Sequence, residues 1–263
     1  MFFGFNFEYA PQEQFKGEPK SVRVEREEFL DAAGNPITAI RYVQQVIEYR
    51  KDGKEAEHRT YRPDGTLSYR DLYEYDDEGR LVKVTTLDDT GTPVCVQEVY
   101  RTGPGMEEVV DVGPDGQERS RTMNRRDEAG RPLESTVTEM NKVQAHLAVR
   151  YDDQGRPVEA HVTLPGLRMR IGIAYHAGNR TVETWYKPDG TILNIMETSE
   201  DEAGQAFSQV LSTHGGIARP ITMGRIDSRD SNGNWNQKTI LVRNPESQDQ
   251  QPSAVVHRTI TYH

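Results

Sequence analysis

The sequence holds one cysteine, Cys95, in 263 residues, which excludes an intramolecular disulfide framework and leaves no cysteine spacing for zinc. In Pro93-Val94-Cys95-Val96 it reads as a small residue of a strand. No apolar run is long enough for a transmembrane helix. The opening Met1-Phe2-Phe3-Gly4-Phe5-Asn6-Phe7-Glu8 lacks the basic n-region and long apolar h-region of a signal peptide. The expectation is a cytoplasmic protein if Met1 is the native start, and a periplasmic or secreted one if a leader has been removed. Apolar residues are scarce, at 34% against 28% charged, with a mean hydropathy of −0.80. A deep, helix-wrapped core is therefore not expected, whereas a twisted sheet or solenoid with one wet face suits the composition. An excess of basic charge is also missing. The net charge is −10, and Arg and Lys alternate with acids, as in Arg23-Val24-Glu25-Arg26-Glu27-Glu28. Nucleic acid is not an expected partner; a basic protein would be steered toward such a surface.

What the chain does have is glycine at regular corners. From Gly53 the steps to Gly65, Gly79 and Gly91 are about 12, 14 and 12 residues, the spacing of short strands joined by tight turns. In Pro63-Asp64-Gly65, Pro114-Asp115-Gly116 and Pro188-Asp189-Gly190, proline presets a type I turn and glycine takes the left-handed position of a bulged three-residue loop. Asp76-Asp77-Glu78-Gly79 and Asp152-Asp153-Gln154-Gly155 follow the same scheme, and Ser231-Asn232-Gly233 adds a further corner. Gly65, Gly79, Gly116, Gly155, Gly190 and Gly233 are thus the structural turn residues.

Between corners the residues are strand-like: Leu81-Val82-Lys83-Val84-Thr85-Thr86 and Val158-Glu159-Ala160-His161-Val162-Thr163 are examples. Aromatic and β-branched residues spread through the chain argue against the competing reading, disorder. The predicted fold is all-β with negligible helix: an antiparallel meander of about 16–18 short strands in repeated hairpins, curled or coiled because wide flat sheets are rare. The best helix candidate, from Asn124 to Glu128, reads as a turn because Gly130 and Pro132 follow. Residues 1–16 form an N-terminal aromatic strand or cap, and 17–263 a single repeat domain. Extended, that segment lines Phe3, Phe5, Phe7 and Tyr9 along one side. These rings either cap the first hairpin or form an oligomer or partner interface.

Tyr75-Asp76-Asp77-Glu78-Gly79-Arg80-Leu81 recurs as Tyr151-Asp152-Asp153-Gln154-Gly155-Arg156-Pro157. Degenerate copies occur at Tyr61-Arg62-Pro63-Asp64-Gly65-Thr66-Leu67 and Tyr186-Lys187-Pro188-Asp189-Gly190-Thr191-Ile192. This frame resembles the YD repeat of bacterial rearrangement-hotspot and wall-associated proteins. In a three-residue-loop register the tyrosine lies opposite the aliphatic residue after the turn. The opening Phe15-Lys16-Gly17-Glu18-Pro19-Lys20-Ser21-Val22 and the closing Asp230-Ser231-Asn232-Gly233-Asn234-Trp235 and Arg258-Thr259-Ile260-Thr261-Tyr262 resemble short YD-like bacterial proteins. The resemblance implies shells, stalks or carriers associated with toxins, and says little about activity.

Chemistry is sparse. A four-residue loop at Gly155 would set His146 opposite His161 with Glu159 nearby; the bulged three-residue register instead puts His161 opposite Leu147 and separates the pair. No metal or cofactor is expected. Asp230-Ser231-Asn232-Gly233-Asn234 has calcium-loop residues without the downstream acidic ligand. No phosphate loop, nucleophile elbow or paired catalytic carboxylates stand out, so no enzyme is expected. The leading expectation is a binding or scaffold protein acting through protein–protein contact. The alternatives are an immunity protein for a basic toxin and a carbohydrate-binding surface using Trp185, Trp235 and tyrosine faces.

Overall fold

The computed structural model describes residues 15–30, 36–200, 206–213, 221–243 and 250–263. Among them there is no helix. The chain runs through β1 (Pro19–Leu30), β2 (Pro36–Tyr49), β3 (Glu55–Tyr61), β4 (Leu67–Tyr75), β5 (Leu81–Leu87) and β6 (Pro93–Gly103). It continues through β7 (Met106–Val112), β8 (Glu118–Arg126), β9 (Pro132–Glu139), β10 (Lys142–Tyr151), β11 (Pro157–Leu164) and β12 (Leu167–His176). Then follow β13 (Arg180–Tyr186), β14 (Ile192–Glu200), β15 (Ala206–Thr213), β16 (Ile221–Arg229), β17 (Trp235–Arg243) and β18 (Gln250–Tyr262). All belong to one sheet. Each strand from β1 to β15 lies antiparallel beside the next. β16, β17 and β18 do the same. The meander is as expected, with one pairing that glycine spacing does not reveal: β18 lies antiparallel against β1. The first strand is therefore held on both sides.

The corners obey the predicted chemistry. In nine of them among the described residues the glycine amide donates three residues back, as Gly65 does to the Arg62 carbonyl at 2.9 Å, while the Arg62 amide donates to Thr66 at 2.8 Å. Their glycines have φ between 75° and 85°, a region closed to most L side chains. Asp64, Asp76, Asp88, Asp127, Asp152 and Asp230 accept the amide two residues on, fixing the turn. The segment from Asn124 to Glu128 is the end of β8 running into such a corner.

Opposed pairs Tyr61 with Leu67, Tyr75 with Leu81, Tyr151 with Pro157 and Tyr186 with Ile192 are all present. One pair further in, each ladder carries a bulge. The extra residue shifts every later pair by one, which corrects the expected register: His161 faces Ala148 rather than Leu147, and His146 faces Thr163.

Side-chain alternation gives two contrasting faces. On the more buried face the opposed residues Val149, Ala160, Ile171 and Trp185 run across four strands; Ala160 and Ile171 are each 1% exposed. Leu147, Val162 and Ile173 complete this cluster. Over β3 to β9 the same face is mixed: His58, Asp71, Thr86 and Cys95 lie in line, with buried Val84, Val109 and Val137 among the same strands. Fully buried Asn124 and Ser135 bond each other at 2.8 Å.

Candidate functional site

One edge of the sheet gathers the corners preceding β3, β5, β7, β9, β11, β13 and β17, and along it the five from β5 to β13 each reach back to the one before. The Tyr75 hydroxyl donates to the Glu55 carbonyl at 2.8 Å, Tyr151 to Pro132 at 2.7 Å and Tyr175 to Pro157 at 2.9 Å. Where tyrosine is absent another donor takes the place: Arg101 Nη2 reaches the Leu81 carbonyl at 3.3 Å, and the Arg126 amide reaches Gly105 at 2.7 Å. At three of these corners the cation that follows the glycine laps forward over the next tyrosine. Arg131 stands 5.0 Å from the Tyr151 centroid, Arg156 4.5 Å from Tyr175, and Lys54 5.7 Å from Tyr75, a cation–π arrangement. Arg131 and Arg156 are held by Asp127 and Asp152 at 2.6 and 2.8 Å. The Arg131 side chain holds the Asp127 carboxyl below its ordinary range, and the Arg156 amide and guanidinium do the same for Asp152. A Cβ at Gly79 or Gly155 would collide with Lys54 or Arg131. We call this the tyrosine edge.

The series ends in a seam that joins the two chain-end segments singled out in the sequence. The Lys16 amide donates to Asn234 Oδ1 at 2.8 Å, and Asn234 Nδ2 donates to the Lys16 carbonyl at 2.9 Å and to Tyr262 at 2.8 Å. Tyr262 in turn donates to Asp230 at 2.5 Å. Asn234 is 1% exposed. Burial works against the charge of Asp230, but the Tyr262 hydroxyl and the amides of Asn234 and Asn232 outweigh it and lower its pKa. Those donors occupy both carboxylate oxygens, so the calcium-like loop is a hydrogen-bonded turn. Beside it the buried Arg258 guanidinium stacks on Trp235 at 3.8 Å and Phe15 at 4.9 Å. Phe15 meets Tyr49 edge-on at 6.0 Å.

The second face of the sheet is a lattice of ion pairs. Arg59 bridges Glu48 at 3.1 Å and Glu57 at 2.8 Å, and Arg70 joins Glu57 at 2.8 Å. Lys83 meets Glu74, Arg121 meets Glu108, and Arg125 meets Glu134. Glu159 takes Arg150, His161 and Arg170, and Arg180 meets Glu197 at 2.6 Å. The bond to His161 and then that to Arg170, against burial, hold Glu159 low; Arg180 does the same for Glu197.

No protein family model and no curated protein matches the sequence. One solved structure shares the fold. A crystal structure of a porin-like protein from Bacteroides uniformis matches 92% of this chain and 96% of its own, with a TM-score of 0.50 at 10% identity. The TcdB2-TccC3 structure matches 82% of this chain but 15% of its own, with a TM-score of 0.29 at 9% identity.

The six turn glycines sit at positive φ as predicted. Phe3, Phe5, Phe7 and Tyr9 lie outside the described residues, as does His214. His146 contacts Thr136 at 3.0 Å and Glu134 at 3.6 Å, while His161 contacts Glu159 at 3.1 Å; among the described residues no three metal-ligating side chains gather. Burial, then nearby Asp111, pushes the Cys95 thiol up, making it a poor nucleophile. Burial also raises Glu183, opposed by the Trp185 ring N–H. Trp185 packs on the Ile171 cluster. Sequence reasoning missed the corner cations and the carbonyls that the tyrosines address. The signal was there: a basic residue follows glycine in Gly53-Lys54, Gly79-Arg80, Gly130-Arg131 and Gly155-Arg156.

Proposed function

We propose that the chain is a non-enzymatic β-repeat protein of the YD type, a scaffold that works by binding another protein. The observation that carries this reading is the ion-pair lattice. Its charges are fixed in position by one another, and its acids Glu159 and Glu197 are held ionised. Such a surface offers a partner a patterned potential, whereas an acid held low is a poor proton donor. The reading is favoured over a membrane pore, despite the likeness to a porin-like fold, because the lattice fills one face with charge and the other carries His58, Asp71 and Thr86 in line. A strand-built span needs one continuous apolar face, and each Arg or Lys at the bilayer midplane costs roughly 2–4 kcal/mol. A glycan surface has less support, because the faces of Trp235, Tyr151, Tyr175 and Tyr186 carry guanidinium groups. Net charge −10 favours a second, narrower reading: neutralisation of a basic toxin.

The test is affinity capture on the immobilised full chain with stepwise salt elution, followed by assay of what is retained. A protein partner released as salt screens the charges agrees with the proposal, and a basic protein whose toxicity is quenched on binding selects the narrower reading. Signal on a glycan array alone, or conductance across a bilayer, would sink the scaffold reading.

A further inference from the structure

The edge opposite the tyrosine edge carries the corners before β4, β6, β8, β10, β12 and β14. Four of these present an acid at the tip: Asp64, Asp89, Asp115 and Asp189. The two neighbouring corners that open β10 and β12 do not. In the first, Met140 and Asn141 form a two-residue turn with φ of 47° and 60°, the geometry that favours Asn or Gly at both places. In the second, Pro165-Gly166 joins the opposed pair Leu164 and Leu167. The two tips are neighbours on this edge, because β10, which the first opens, pairs along its length with β11, which leads into the second.

Their exposure is unusual. Met140 is 93% exposed, Val143 60% and Leu167 41%. Methionine at the left-handed position is strained, and a side chain open to water recovers nothing from burial, so folding gives no reason for it. Strain retained at an exposed position points to a function outside the fold. Methionine is also the side chain that adapts best to varied apolar surfaces. Behind the tips stand the exposed cations Lys142 and Arg168, with Glu139 opposite Lys142, on a chain whose net charge is −10.

We propose that Met140, Val143 and Leu167, flanked by Lys142 and Arg168, are the contact by which the chain docks an apolar, acid-rimmed groove or segment of a protein partner. This deepens the scaffold reading and rests on it. Charge selects the occupant: the other four tips each end in an acid, whereas at these two Lys142 and Arg168 outnumber the one acid beside them, Glu139, so they suit a partner that pairs apolar residues with carboxylates. The hydrophobic anchors would supply the energy and the cations the orientation.

The test pans the immobilised full chain against a random-peptide phage library. The wild type should enrich peptides in which apolar residues alternate with Asp or Glu. Met140→Asn, which suits the turn and should keep or raise the melting temperature, should weaken those peptides about tenfold, as should Leu167→Asp. Enriched peptides that bind both variants as well as the wild type would overturn the tip assignment while leaving the scaffold reading intact. No enrichment would overturn both. Two further results would overturn the proposed occupant: Met140-dependent sedimentation with phosphatidylcholine–phosphatidylserine vesicles, or self-association lost in Met140→Asn.

Discussion

The tyrosine edge and the opposite edge share the same glycine corner, with the same amide pattern and the same positive φ, yet they are finished differently. On the tyrosine edge the corners before β5, β11 and β13 are each bonded to the one before and covered by that corner's cation. On the opposite edge, among the described residues, the corners before β4 and β6 are joined only by the exposed pair Arg62 and Asp89 at 3.5 Å, and no tyrosine hydroxyl there reaches a neighbouring corner's carbonyl. The corner alone therefore fixes a hairpin, while the tyrosine and the cation after glycine fix how successive hairpins stack. The edge tied by tyrosines serves the fold, and the more loosely tied edge is where the Met140 and Leu167 tips appear.

The largest effect should come from the seam, where the tyrosine-edge series ends. Asn234→Leu removes three hydrogen bonds, leaving the Lys16 N–H and C=O without this partner and Tyr262 with Asp230 alone, at a cost of about 3 kcal/mol, visible as a lower denaturant midpoint. Next, Gly155→Val and Gly65→Val both force a branched side chain into the left-handed region, worth about 1–2 kcal/mol each. Gly155→Val should cost more because Arg131 must leave Tyr151; equal losses would break the distinction between the edges. Tyr151→Phe and Tyr175→Phe should each lose about 1 kcal/mol, against no measurable change for Tyr61→Phe on the opposite edge. The smallest effect is electrostatic. The folded pKa values of Asp127 and Asp152 are depressed, so the stability they give is complete above the unfolded value of about 4 and is lost as pH falls through the folded values. Salt should weaken the contribution of Asp127, whose main partner is Arg131, more than that of Asp88, held first by the Thr90 hydroxyl.

Much of the architecture was legible because its determinants are local. Pro63-Asp64-Gly65 needs no distant residue to reverse the chain, and Tyr75 meets Leu81 across a single turn. The bulge one pair beyond each corner escaped notice because it depends on the ladder rather than the loop, and it moved His161 from Leu147 to Ala148. The β1–β18 pairing was hidden for a different reason. Lys16 and Asn234 are 218 residues apart, and only the full run of strands brings them together. The exposed tip at Met140 carries no glycine and so fell outside the corner pattern altogether.

The most direct test of that closure is a disulfide between the first strand and the last. Ser21 and Thr261 lie opposite each other, their hydroxyl oxygens 2.7 Å apart. In a Cys95→Ala background, Ser21→Cys with Thr261→Cys should oxidise to an intramolecular bond within the monomer and raise the melting temperature. Free thiols after oxidation, or disulfides only between separate chains, would contradict the account.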